Sequence, residues 1–178
     1  KGILSGKPAK RRGILDKHDR YALLSKYDVI DPKRRNYYIE TNKSQYEHAH
    51  NPNDLKVVED IITEFYPSYI APFHLVLDRT WGHRFNMFVM KKELLAAYCK
   101  WLFDVLFKLE QRIDISTCND YNMRIFGFMS ERLFDVWLET NNIKYKEVSV
   151  SFMESQNWFK KGWKFMDRKI RGGIKWTK

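Results

Sequence analysis

Apolar residues recur at three- and four-residue spacing through the middle of the chain. From Lys91 to about Ile113, the residues Leu94, Leu95, Tyr98, Trp101, Leu102, Val105, Leu106 and Leu109 fall on one face of a long helix. Just before it, Phe85-Asn86-Met87-Phe88-Val89-Met90 holds five apolar residues and one amide. That run is too short for a stable helix and predicts a buried strand. After a short polar break, Tyr121 to Leu133 predicts a second helix in which Arg124, Glu131 and Arg132 are set among Phe126, Phe128, Met129 and Leu133. Charged groups rarely enter an apolar surface unless they are paired or used. Chemistry is therefore expected between Trp81 and Trp137.

The flanking segments add shorter elements. Lys1 to Gly13, with three glycines and a proline, predicts a mobile or loop-like lead-in. Asp16 is placed to cap a short helix carrying Tyr21, Leu23 and Leu24, with Asp19 at the third position. Tyr27 to Ile30 predicts a short buried strand that stops at Asp31-Pro32. Pro52-Asn53 opens a helix through about Phe65, capped by Asn53, with Leu55, Val58, Ile61, Ile62 and Phe65 on its apolar face. Tyr69 to Leu77 predicts a further short helix interrupted at Pro72, and Ile143 to Phe152 a strand. Alternating helices and short strands point to an α/β layer fold, helix-rich around a small central sheet.

At 178 residues, 44% apolar and 16% aromatic, the chain is long enough to bury one core. Two cysteines, Cys99 and Cys118, make no disulfide framework, and Cys99 is expected as a small core residue in a reducing compartment. No apolar run approaches the roughly 20 residues that span a bilayer. The net charge of +10 is uneven: residues 1–12 hold five Lys/Arg and no acid, and residues 160–178 hold eight against the single Asp167. The body between is slightly acidic. Domain organisation follows this division, with one domain over 1–159 and a basic aromatic tail over 160–178. The tail interleaves its cations with Trp163, Phe165, Met166, Ile170, Ile174 and Trp176, a composition suited to an anionic lipid surface. A solvated tail accounts for the same residues. Nucleic acid is not the expected partner.

Standard catalytic signatures are absent: no Gly-rich dinucleotide or phosphate loop, no nucleophile elbow, no zinc-protease helix. Nor does an Asp-x-Asp pair occur. What remains is carboxylates and arginines in an aromatic setting. Glu131 is the carboxylate expected to be desolvated, and such a Glu serves as a base near neutral pH. Arg124 and Arg132 suit a phosphate group or Glu131 itself; a purely structural Arg–Glu pair fits the pattern equally. Lys33, Arg34 and Arg35, followed by Tyr37 and Tyr38, offer a phosphate contact with rings to stack on, or else a solvated loop. His48 and His50 form a His-x-His pattern without enough companions for a metal site, and are expected at the lip of a pocket or simply exposed.

Four blocks in order carry a resemblance: Lys33 to Tyr38, His83 to Met90, Tyr98 to Asp104, and Arg124 to Leu133. Together they resemble the bacterial capsular and exopolysaccharide glycosyltransferases long catalogued as a domain of unknown function, from about Gly13 to Trp158. That resemblance implies a partial A-type nucleotide-sugar transferase fold. It further implies a nucleotide-sugar donor, UDP-sugar favoured, and a lipid-linked glycan acceptor at the cytoplasmic face of the membrane. Glu131 would be the base or acceptor-orienting carboxylate, with Arg124 and Arg132 facing the diphosphate and Lys33, Arg34 and Arg35 assisting. His83 and Asn86 would line the sugar pocket. A divalent cation, Mg or Mn, is compatible with this chemistry. Members of that family carry a first strand, a helix and a His-Tyr-Arg-Arg-Tyr block that have no counterpart here, so the chain is expected to lack an N-terminal part of the fold. The contrasting expectation is a non-catalytic module that binds polyanions through its basic ends.

Overall fold

The computed structural model describes residues 15–114 and 124–150. The loop-like lead-in, Cys118 and the basic aromatic tail lie outside the described residues, as do the first residues of the predicted second helix and the end of the last predicted strand. A first helix, α1 (Lys17–Leu24), begins with the anticipated reciprocal cap: the Asp16 side chain accepts from the Asp19 backbone N–H, and Asp19 accepts from that of Asp16. The helix lies on the surface, and Tyr21 is exposed. Strand β1 (Val29–Pro32) follows and is buried along its whole length. It does not stop at Asp31-Pro32 but runs through both.

Topology explains why the proline is tolerated. The main sheet has the order β4-β1-β5, in which β1 runs antiparallel to β4 (Val89–Met90) and parallel to β5 (Tyr145–Val148). Strand β4 pairs only with Val29 and Ile30, so Pro32 flanks an unpaired edge and its missing N–H breaks no ladder bond. Lys33 N–H continues the ladder to the Val148 carbonyl at 2.8 Å. A separate two-stranded ribbon pairs β2 (Arg35–Asn36) with β3 (Trp81–Gly82).

Five further helices and turns make up the body: α2 (Asn42–Ala49), α3 (Pro52–Phe65), a 3₁₀ turn at Pro67–Tyr69, α4 (Ile70–Asp78) and the long α5 (Lys92–Arg112). The last helix, α6 (Ile125–Thr140), packs against α4 and α5. Helix α3 is capped by Asn51 rather than Asn53: the Asn51 side chain accepts from the Asn53 backbone N–H at 3.1 Å. Pro72 does not interrupt α4, because it lies in the first turn, where backbone N–H groups lack intrahelical acceptors anyway. The expected faces of α3 and α5 are buried except at their margins, where Phe65 and Leu95 remain exposed. The strand expected over Phe85–Met90 shrinks to two residues. Phe85, Asn86 and Met87 form an exposed loop with Asn86 at φ 47°, a left-handed conformation that ends pairing.

Candidate functional site

Helix α6 is buried on nearly every side from Arg132 to Leu138. A helix so enclosed must satisfy its charged groups internally. Asp135 does so by gathering the segment that follows β3. Its carboxylate accepts from the His83 ring at Nδ1 (2.5 Å), from the His83 backbone N–H (3.1 Å) and from Arg84 Nη1 (3.3 Å). On the far side of the ring, His83 Nε2 donates to Glu147 Oε1 at 3.2 Å. Asp31 Oδ2 lies 3.1 Å from the same nitrogen but off the N–H axis, and receives no hydrogen bond. Arg34 closes the group, its Nε donating to Glu147 Oε1 at 2.5 Å while its guanidinium lies 4.0 Å from the Trp81 ring.

These groups stand where an open α/β sheet places its ligands. Asp31 and Glu147 are register partners at the carboxyl ends of the two parallel strands. Burial works against the His83 cation, yet the hydrogen bond and charge of Asp135, with Asp31 and Glu147 behind, raise its pKa on balance. Asp31 is pushed up to about 7 by burial, with Asp135 and Glu147 adding repulsion that the His83 charge only partly offsets. Burial pulls Glu147 the same way, but its bonds to Arg34 hold it below the ordinary range. The His83 ring thus stands among the carboxylates of Asp31, Asp135 and Glu147. Among the described residues no group of three or more His, Cys, Asp or Glu is arranged to take a metal.

Beside this network runs a narrow crevice lined by Asp31, Pro32, His83, Arg84, Phe85, Asn86, Met87, Glu131 and Phe134. The structure therefore brings together three of the sequence-derived candidates, His83, Asn86 and Glu131. Burial raises the pKa of Glu131 against the opposing charges of Arg84, Arg132, Arg124 and Arg35. Asn86 Nδ2 donates to the Gly127 carbonyl at 3.0 Å, tying the 83–88 loop to α6. On the other side of Glu147 lies an open groove of about 470 Å³, lined by Lys33 and Arg34 together with Tyr27, Tyr145 and Lys146.

Other candidates are dispersed. Arg132 is 2% exposed; it donates to the Phe128 carbonyl and to Gln45 Oε1 and lies over the Tyr46 ring, a packing geometry, and burial with the nearby Arg84 charge lowers its pKa to about 10. Arg124 is exposed at the start of α6, 5.3 Å from the Phe128 ring. Arg35 is exposed over Tyr37, whose hydroxyl accepts from Arg84 Nε, and Tyr38 is exposed at φ 63°. The two histidines of the His-x-His pattern part company. His48 is exposed, 3.0 Å from Glu40, whereas His50 is no pocket lip: it is buried against Tyr46 and Phe128, with ring centroids at 4.6 and 4.2 Å. Asp31, Arg84, Asp135 and Glu147 are the site residues that sequence reasoning passed over. The available signal was Asp135, three residues after Arg132 within an apolar helix.

Comparison with known proteins gives this geometry a context. Residues 4–142 match the family described as Domain of unknown function (DUF4422). The chain belongs to that family. Among solved structures, this family member is similar to the apo structure of the bifunctional glycosyltransferase WbbM, at 25% sequence identity and a TM-score of 0.71. The likeness covers 84% of this chain and 28% of that one, so the chain spans little more than a quarter of that structure's length. The helix-rich fold with its small sheet is thus one found within a glycosyltransferase. No curated protein matches the chain. Among the described residues no helix is long and apolar enough to cross a membrane.

Proposed function

We propose that this family member is a glycosyltransferase unit that moves a sugar from a nucleotide-sugar donor to a glycan acceptor. The observation that carries this reading is Glu131: a half-buried carboxylate with its pKa raised, facing a crevice at the carboxyl ends of parallel strands, with His83 and Asn86 on the same walls. In the step it serves, an acceptor hydroxyl oxygen bonds to the anomeric carbon while the bond from that carbon to the diphosphate oxygen breaks. The diphosphate leaves with the electron pair. Glu131 takes or orients the hydroxyl proton, a role in which a positioned base contributes about 10²–10⁴-fold.

Arg84 and Arg124, with Lys33, Arg34 and Arg35 nearby in sequence or space, supply positive charge for the departing diphosphate. Arg132 contributes by fixing α6 against α2. The finer reading follows from the family resemblance: a UDP-sugar donor, a lipid-linked capsular or exopolysaccharide acceptor, and action at the inner membrane face with the tail over residues 160–178 as anchor. Substituting Glu131→Gln should lower transfer from UDP-sugars by about 10²–10⁴-fold without changing Tm. Wild-type rates in that variant would overturn the assignment.

A further inference from the structure

Two buried polar atoms on residues that line the crevice have no hydrogen-bond partner. Asp31 Oδ2 accepts none and Arg84 Nη2 donates none, although both are buried. Native proteins leave few buried polar atoms in this state, and each one that persists calls for a physical reason. Asp31 and Arg84 line the same crevice as Glu131, His83 and Asn86. In this conformation the crevice is too narrow to admit a water molecule.

Neither group is free to turn elsewhere. Arg84 Nη1 donates to the His83 and Glu131 carbonyls and to Asp135, and Nε donates to Tyr37 Oη, which leaves Nη2 uncommitted. The guanidinium rests directly on Gly82, where a Cβ would come within 2.2 Å of Nη2. Asp31 stands opposite Glu147 in the β1–β5 register, its Oδ2 3.1 Å from His83 Nε2. One orphan is an acceptor and the other a donor, and a hydroxyl group is both. The remaining walls, Pro32, Phe85, Met87 and Phe134, are apolar, as suits the C–H faces of a pyranose or furanose ring.

We infer that Asp31 and Arg84 form a hydroxyl-reading clamp for one sugar ring, engaging a single hydroxyl or two neighbouring ones. The inference rests on the glycosyltransferase reading and adds to it the residues that select the sugar. Release of the Asn86 tether to Gly127 would widen the crevice for the ring. Donor and acceptor sugars share this chemistry, so the test needs both.

Isothermal titration of the full chain with UDP, UDP-glucose and UDP-galactose measures the donor arm, and methyl glycosides titrated in the presence of saturating UDP measure the acceptor arm. In one arm, the sugar should add at least tenfold to the affinity. Asp31→Asn should abolish that increment while leaving the Kd for UDP within about twofold. A second measurement needs no variant: across a series of singly deoxygenated sugars on the wild-type chain, one or two positions should lose about tenfold and the others little. If UDP binds and neither sugar arm depends on Asp31 or on any one hydroxyl, the clamp is overturned and the glycosyltransferase reading stands. If neither UDP nor any UDP-sugar binds, the clamp falls together with the UDP-sugar donor reading. Should Asp31→Asn lose its thermal transition, the deoxygenated series decides alone.

Discussion

His83 and His50 are both at least 95% buried, at relative exposures of 4% and 5%, and burial pushes both rings toward the neutral form. Their neighbours send them in opposite directions. Asp135, Asp31 and Glu147 around His83 outweigh its burial and raise its pKa. Around His50 stand Tyr46, Phe128 and the Arg132 cation, and burial followed by the Arg132 charge lowers its pKa to about 4. One histidine is held toward its cationic form and organises a polar network at the sheet. The other is a flat neutral ring that fills an aromatic stack. Depth in the core does not decide what a histidine does; the charges that the fold brings to it do.

The largest effect expected from breaking this contrast comes from the His83 side. Asp135→Ala removes the acceptor shared by His83 and Arg84 and leaves the Arg84 cation and the His83 ring buried without their carboxylate. Loss of one partner from a buried ionic group typically costs about 3–5 kcal/mol, which urea unfolding at neutral pH would read. The pH profile should change as well. Because the folded-state pKa of His83 is raised, its contribution is complete below the unfolded value of about 6.5 and is lost as pH rises through the folded value. In Asp135→Ala that alkaline loss should shrink. A destabilisation below about 1 kcal/mol would mean that Asp135 does not hold the network together.

The opposite sign belongs to His50. Its folded pKa, about 4, lies under the unfolded one, so the unfolded chain takes up the proton first on acidification. His50 therefore contributes stability above about pH 6.5, lost as pH falls toward 4, with an upper size of about 3 kcal/mol. Asp31, raised to about 7, runs the other way over nearly the same window: its contribution is complete below an unfolded pKa of about 3.9 and is lost as pH rises toward 7. The wild-type profile is consequently flatter than either residue alone would make it. His50→Phe keeps a ring between Tyr46 and Phe128 and removes the titration. Wild-type stability minus that of the variant should fall between pH 6.5 and 4 and stay level above. A level difference throughout would show that His50 is not the acid-sensitive group.

These two regions differ equally in how far sequence discloses them. Helix α5, the cap at Asp16 and the meeting of His83, Asn86 and Glu131 near one strand end follow from periodicity, capping chemistry and family resemblance. The partners of His83 do not. Asp31 precedes a proline, which reads as a strand stop unless one knows that β4 ends two residues earlier and leaves that edge open. Glu147 reaches the site only because β5 lies parallel to β1, a pairing across more than a hundred residues that no local pattern announces. His48 and His50 look alike in sequence. The end of α2 falls between them, so that one ring meets Glu40 and the other enters the stack.

The smallest effect tests whether the acid sensitivity belongs to the His50 ring or to the backbone beside it. Asn51 follows His50 directly and caps α3 through the Asn53 N–H, and α3 carries Asp54, which accepts from Tyr46 Oη at 2.7 Å. Asn51→Ala should cost about 1 kcal/mol and Asn53→Ala only a few tenths, since a lost N-cap side chain costs about that much and an exposed first-turn residue little. Both costs should be the same at pH 7 and at pH 5, because neither amide titrates. If instead the cost of Asn51→Ala grew on acidification, charging of His50 and loosening of the α3 start would be one event. The ring would then be read through the cap rather than through its stack with Tyr46 and Phe128, and His50→Phe would have removed a hinge as well as a proton site.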